Sequence, residues 1–142
     1  MLLPSEIRSK GRIALPAEAL DKVSWLSHAR DSPVDIGIEV RAIGHIEIVP
    51  RNIVDSVLAR ETDLRASLIR RLFVAHIDGD RRLVLPSFFE DRVFPSWSKG
   101  VEHNVLLECH EDHVAVFTTE AWMKLVGADP TLGQVVSRSS TS

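Results

Sequence analysis

Apolar and polar residues alternate along this chain in short runs, and the runs come in pairs. Ile36-Gly37-Ile38-Glu39-Val40-Arg41-Ala42-Ile43 alternates, Gly44-His45 breaks the pattern, and Ile46-Glu47-Ile48-Val49 alternates again. A two-residue period interrupted by a glycine-bearing turn predicts a β-hairpin. The same arrangement returns as Asn104–Cys109, a turn at Glu111-Asp112, and Val114–Phe117, with Val114 offset by 68 residues from Ile46. A shorter hairpin precedes each of these. Arg12-Ile13-Ala14-Leu15-Pro16 lies over Arg82-Leu83-Val84-Leu85-Pro86 at an offset of 70, and each block follows a polar segment, Arg8-Ser9-Lys10-Gly11 or Asp78-Gly79-Asp80-Arg81. Gly11 and Asp78-Gly79 are expected to supply the positive φ of the turns, while Pro16 and Pro86 close the outgoing strands and open a helical turn.

Both copies leave the second hairpin into a predicted helix, Pro50-Arg51-Asn52-Ile53-Val54 in one and Thr118-Thr119-Glu120-Ala121-Trp122 in the other, with Thr118 or Thr119 as N-cap. Between the copies, Ile53, Val57 and Leu58, then Leu64, Leu68, Ile69 and Leu72, recur at helical spacing as one amphipathic helix or a broken pair. The expected organisation is a first repeat over 1–60, a connecting helix over 61–72, a second repeat over 73–128 and a tail over 129–142. The Ser/Thr-rich end of that tail, Ser137–Ser142, has no apolar anchor and is expected to be disordered. Two hairpins of about 60 residues bury too little surface to stand alone. The expected fold is therefore mainly β (α+β): one pseudo-two-fold barrel that interleaves the hairpins of both copies, with short helices on its ends.

Composition narrows the picture. The chain has 142 residues, 15.8 kDa and 44% hydrophobic content, enough for a core that needs no staple, and its single cysteine, Cys109, excludes an internal disulfide. The longest apolar stretches, such as Val105-Leu106-Leu107, fall far short of the roughly 20 residues of a membrane helix, and Met1-Leu2-Leu3-Pro4 lacks a cationic leader start. A soluble cytoplasmic protein is the expectation. With a net charge of −3 and a pI near 6.1, attraction to a nucleic acid has to come from a local basic patch.

The doubled pattern of turn, Arg, apolar, any, apolar, Pro, followed by an alternating hairpin and an aromatic-bearing helix, resembles the AbrB-type (SpoVT-AbrB) swapped-hairpin DNA-binding family, in its tandem MraZ-like form. The resemblance spans about Glu6 to Leu125 and is fuller in the second copy, through Arg71-Leu72-Phe73-Val74, Ile77-Asp78, Arg82–Pro86, Val114–Phe117 and Trp122. Two positions depart from the family's turn: Arg8 stands where Asp is expected and Arg81 where Gly is expected. The resemblance implies a nucleoid-associated transcription regulator that forms homo-oligomers and meets double-stranded DNA through the basic turns, here Arg8, Lys10 and Arg12 with Arg81 and Arg82. Arg offers a planar fork for phosphate or guanine, and Lys a point charge for the backbone. Asp78 is positioned to pair with Arg82, whereas Arg8 cannot pair with Arg12, so Arg12 is the freer DNA-facing group.

Other readings stay open at this point. The same turns serve equally as solvated hairpin ends, and the net charge and altered turns suit an antitoxin-like or regulatory protein-interaction module on the same fold. Arg65, Arg70 and Arg71 form either a solvated helix face or an extension of the basic one. His103, Cys109, His110 and His113 lie close enough in sequence to suggest a metal, but adjacent strand residues 109 and 110 point to opposite faces. Ser24, His28 and Asp31 carry no nucleophile elbow, and no glycine-rich phosphate loop occurs. No enzyme activity, cofactor or metal is expected. Trp25, Trp97 and Trp122 read as core or interface aromatics, and Phe88, Phe89, Phe94 and Trp97 as oligomer interface or core.

Overall fold

The computed structural model describes residues 2–8, 11–60, 71–94 and 103–128. Lys10, Arg65, Arg70, Trp97, the segment 61–70 and the tail from 129 onward lie outside the described residues, as does the side chain of His103. Eight strands close into one antiparallel barrel: β1 (Leu2–Arg8), β2 (Arg12–Ala14), β3 (Val34–Ala42), β4 (His45–Pro50), β5 (Leu72–Ile77), β6 (Arg82–Val84), β7 (His103–Cys109) and β8 (Val114–Thr118). Their order around the ring is β1-β2-β6-β5-β3-β4-β8-β7, and β7 pairs back onto β1. Hairpins from the first 50 residues thus alternate with hairpins from residues 72–118. The described helices are α1 (Ala17–Lys22), a 3₁₀ helix (Ser24–Arg30), α2 (Arg51–Arg60), α3 (Phe89–Arg92) and α4 (Thr119–Ala128). None is long and apolar enough to cross a membrane. The mainly β barrel with short helices is the fold class that the alternation predicts.

The two-residue period builds the barrel from inside out. Ile7, Ile13, Ile36, Ile38, Ile46, Ile48, Ile77 and Leu83 point inward with no exposed surface. Their branched side chains fill a closed eight-strand barrel, whose interior is just wide enough for packed residues. Each stabilises the fold by about 1.5–3 kcal/mol through burial. Leu20 of α1, Leu26 of the 3₁₀ helix, and Phe89 and Phe94 at α3 join the same cluster, so those two phenylalanines are core rather than interface. Cys109 also faces inward, and burial pushes its thiol up.

Two smaller apolar clusters lie on the outer surface beneath the long helices. Val54 and Val57 of α2 cover Val49 and Leu72, and Trp122 of α4 packs edge-on against Phe117, with Ala115 alongside. Thr118 is the cap of α4, its Oγ1 accepting from the Ala121 backbone N–H at 3.1 Å. The approach of α2 to β3 depends on Gly37, where a built Cβ would lie 2.1 Å from Val54 Cγ2 and 3.0 Å from Val49 Cγ2.

Gly37→Ala is therefore expected to destabilise the fold by about 1–3 kcal/mol through overpacking. Adding Val54→Ala should recover part of that loss, as a coupling in a double-mutant cycle followed by urea unfolding. Strictly additive costs would contradict the close approach of Gly37 to Val54.

Candidate functional site

β2 and β6 are three residues each and pair as Arg12↔Val84, Ile13↔Leu83 and Ala14↔Arg82. Ile13 and Leu83 point into the core, so Arg12, Ala14, Arg82 and Val84 point out. Arg12 and Arg82 are diagonal neighbours on this outer face, with Cα atoms roughly 7–8 Å apart. The turn ahead of each strand is tied to the opposite one: Leu85 N donates to Gly11 O at 2.9 Å, and Leu15 N to Arg81 O at 3.0 Å. The two basic turns are therefore one unit of structure.

Both turns close with a backbone bond to the residue three before and a positive φ, by different chemistry. In the first, Gly11 N donates to Arg8 O at 2.8 Å, and Gly11 takes φ of 69°. In the second, Arg81 N donates to Asp78 O at 3.1 Å, and Arg81 takes φ of 61°. The expectation that Gly79 supplies the left-handed residue is corrected, since only Gly11 and Gly44 among the described glycines have positive φ. Asp78 is the reason. Its Oδ1 accepts from the backbone N–H groups of Asp80 at 2.9 Å and Arg82 at 3.0 Å, which fixes the start of the turn and moves the reversal to residue 81. A left-handed L-residue costs about 1–2 kcal/mol, which glycine avoids.

The cations divide into held and free. Arg82 Nε lies 3.3 Å from Asp78 Oδ2, near enough for an ion pair but not aligned for a hydrogen bond, and Arg82 Nη2 lies 3.0 Å from Asp80 Oδ2. Arg8 Nη2 pairs with Glu6 Oε1 at 2.9 Å. Arg12 and Arg81 have no ion pair among the described residues, and the buried Nε of Arg12 has no hydrogen-bond acceptor there. The sequence singles out Asp78 as a partner of Arg82 but misses Asp80 and Glu6. Both sit two residues before the arginine they bind: Glu6 on the same face of β1 as Arg8, and Asp80 in the turn that leads into Arg82.

For Asp78, burial acts first and pushes the carboxyl up. The backbone donations from Arg82 and Asp80 and the charges of Arg82 and Arg12 outweigh it, and hold the carboxyl below its ordinary range.

Acidic groups gather at the opposite pole. The β4·β8 junction lies four strands from β2·β6 in either direction. There Glu39, Glu47 and Glu108 face outward, and Arg41 binds Glu39 and Glu47 at 3.1 Å each. His45 stacks on Phe117 with centroids 4.1 Å apart, and burial pushes its imidazole down against the pull of Glu47.

The remaining candidates have structural partners. His110 and His113 stack at 4.6 Å and bind Glu108 at 2.5 Å and Asp112 at 2.9 Å, respectively, while Cys109 faces the core. Among the described residues no group of three or more His, Cys, Asp or Glu is placed to hold a metal. Ser24 Oγ donates to the Glu111 carboxylate, and Trp25 Nε1 donates to Glu111 O at 2.6 Å. These bonds seat the β7–β8 turn on the 3₁₀ helix, and Ser24 is committed to Glu111 rather than to His28. Trp122 is buried and Trp25 partly so. No family model matches the chain, and no curated protein is found similar to it.

Two outcomes follow from the turns. Arg81→Gly should raise the unfolding free energy by about 1 kcal/mol, read from the urea midpoint, and a loss would contradict the strained assignment. Because the folded pKa of Asp78 lies below its unfolded value, its stabilising contribution is complete above about pH 4 and drains as pH falls through the folded value. The stability gap between wild type and Asp78→Asn should accordingly shrink on acidification, and a gap independent of pH would contradict the linkage.

Proposed function

We propose that this chain is a sequence-specific, double-stranded-DNA-binding transcription regulator, built as a tandem swapped-hairpin barrel of AbrB/MraZ-like type and acting without catalysis. The alternation of early and late hairpins around the ring supports that architecture. So does the register. Under the 70-residue offset Ile13 corresponds to Leu83, and these two face each other; under the 68-residue offset Glu47 corresponds to Ala115, and these also face each other. Both pairs suit a pseudo-two-fold axis running through the barrel from the β2·β6 junction to the β4·β8 junction.

The observation that carries the functional reading is the pairing of β2 with β6. It sets Arg12 and Arg82 diagonally on one outer face, with the glutamates of the β4·β8 junction at the far pole. A chain of net charge −3 can then offer DNA one face where four arginines have three carboxylate partners among the described residues, Glu6, Asp78 and Asp80. Arg12 is the leading contact, since it gives up no ion pair among the described residues and its fork suits phosphate or the guanine edge. Arg82 has first to leave its carboxylates. Exposed ion pairs are worth about 0.2–1 kcal/mol, a cost that a phosphate contact offsets. With an axis between two unequal turns, the reading of the DNA is unequal as well, stronger from the Arg12 side. Arg81 extends the face, the protein works in the cytoplasm on the nucleoid, and it self-associates.

A second reading is a protein-interaction module on the same fold, favoured by one observation: Arg8 and Arg82 are both occupied by carboxylates of their own strands and turns.

Selection from random duplexes at two salt concentrations separates the two. The regulator reading predicts an enriched motif. Arg12→Ala should weaken binding at least tenfold and make the salt slope shallower by about 0.9 for each phosphate that is no longer neutralised. Arg82→Ala should cost less, and Asp80→Asn, which removes one of the two carboxylates that hold Arg82, should strengthen binding. No enrichment, or binding indifferent to Arg12, would overturn this reading in favour of the protein-partner module.

A further inference from the structure

A concavity lies away from the arginine turns, at the end of β3. It has a volume of about 770 Å³ and is bounded by the β3–β4 turn, the start of β5, and α3 with the residue before it. Its wall is aromatic. Phe73, Phe88 and Phe89 pack edge-to-face in a triangle, with centroids 5.2 Å, 5.6 Å and 5.0 Å apart. Its mouth leaves apolar side chains in water, with Ile43 73% and Phe88 49% exposed. Arg71 and Arg92 line the same space, and neither has an ion pair among the described residues. Arg71 is moreover held at φ of 56°, with its carbonyl accepting from Val40 N at 2.8 Å, so strained backbone borders the cavity.

The geometry points to a binding site for a small amphipathic carboxylate, an alkyl or arylalkyl acid whose apolar body lies on the phenylalanine triangle and whose carboxylate meets Arg71 and Arg92. The volume falls in the range of small-molecule sites, which are mostly apolar with a few polar groups that fix orientation. Exposed apolar side chains at one mouth favour an apolar occupant. The two arginines select its charge, because guanidinium binds carboxylate through two parallel donors, an arrangement that neither an alcohol nor an amine can use. The site shares no residue with the Arg12–Arg82 face, so it does not rest on the DNA-binding reading.

The test is calorimetric titration of the full chain with decanoate below its micelle concentration, beside decanol and acetate. Decanoate should bind saturably at one site per chain, decanol at least tenfold more weakly, and acetate not measurably. Arg71→Gln and Arg92→Gln should each weaken decanoate about tenfold, the size of one charge-assisted hydrogen bond, while leaving decanol unchanged. Phe88→Ser, at a half-exposed position that the core does not need, should weaken decanoate and decanol together. Absence of decanoate binding, equal binding of decanoate and decanol, or indifference to the two arginine substitutions would overturn the assignment.

Discussion

The pairing of two very short strands sets where the basic turns lie. β2 and β6 contribute three residues each, and their ladder, extended by the bonds from Leu15 to Arg81 and from Leu85 to Gly11, is one of four junctions where the barrel passes between the first part of the chain and the later part. Only one residue of each strand, Ile13 or Leu83, points inward, and both are fully buried. A slip of one residue would expose them and turn Arg12 and Arg82 into the core, where unpaired charge costs several kcal/mol. The hydrophobic requirement therefore fixes the orientation of the arginines. Neither the register nor the outward pair exists without the other.

That constraint also accounts for how charge is arranged. Strand alternation sends the glutamates of β3, β4 and β7 outward on the far side of the ring, while the basic turns stay at the β2·β6 side. A modest net negative charge is then compatible with a local cationic face. Within that face the two turns are not equivalent. One has glycine at the left-handed position and an arginine free of described ion pairs; the other has an arginine at the left-handed position and a second arginine held by Asp78 and Asp80. The proposed two-fold relation is thus broken at the groups that would meet a ligand.

Much of the fold is legible in the sequence because hairpins announce themselves locally. The alternation over Ile36–Val49 and Asn104–Phe117, the glycine at Gly44 and the threonine cap at Thr118 each depend on near neighbours. The turn after β5 is where local reasoning fails. Asp78-Gly79 has the composition of a positive-φ turn, yet the Asp78 side chain takes two backbone N–H groups and shifts that conformation onto Arg81. The clamp on Arg8 is local in the same sense, since Glu6 two residues upstream shares its face of β1, and Asp78 and Asp80 lie in the turn just ahead of Arg82. The aromatic cavity is not local, because its walls come from three separate parts of the chain, around Ile43, Arg71–Phe73 and Phe88–Arg92.

The proposed contact places DNA on the β2·β6 face rather than on any other part of the barrel. It is tested most directly by following the arginine Nε–H NMR signals while a mixed-sequence duplex is added at low salt. Arg12 Nε, buried with no acceptor among the described residues, should shift first, Arg82 next, and Arg41 at the opposite pole not at all. Shifts led by Arg41, or no shift at Arg12 while the duplex is bound, would contradict it.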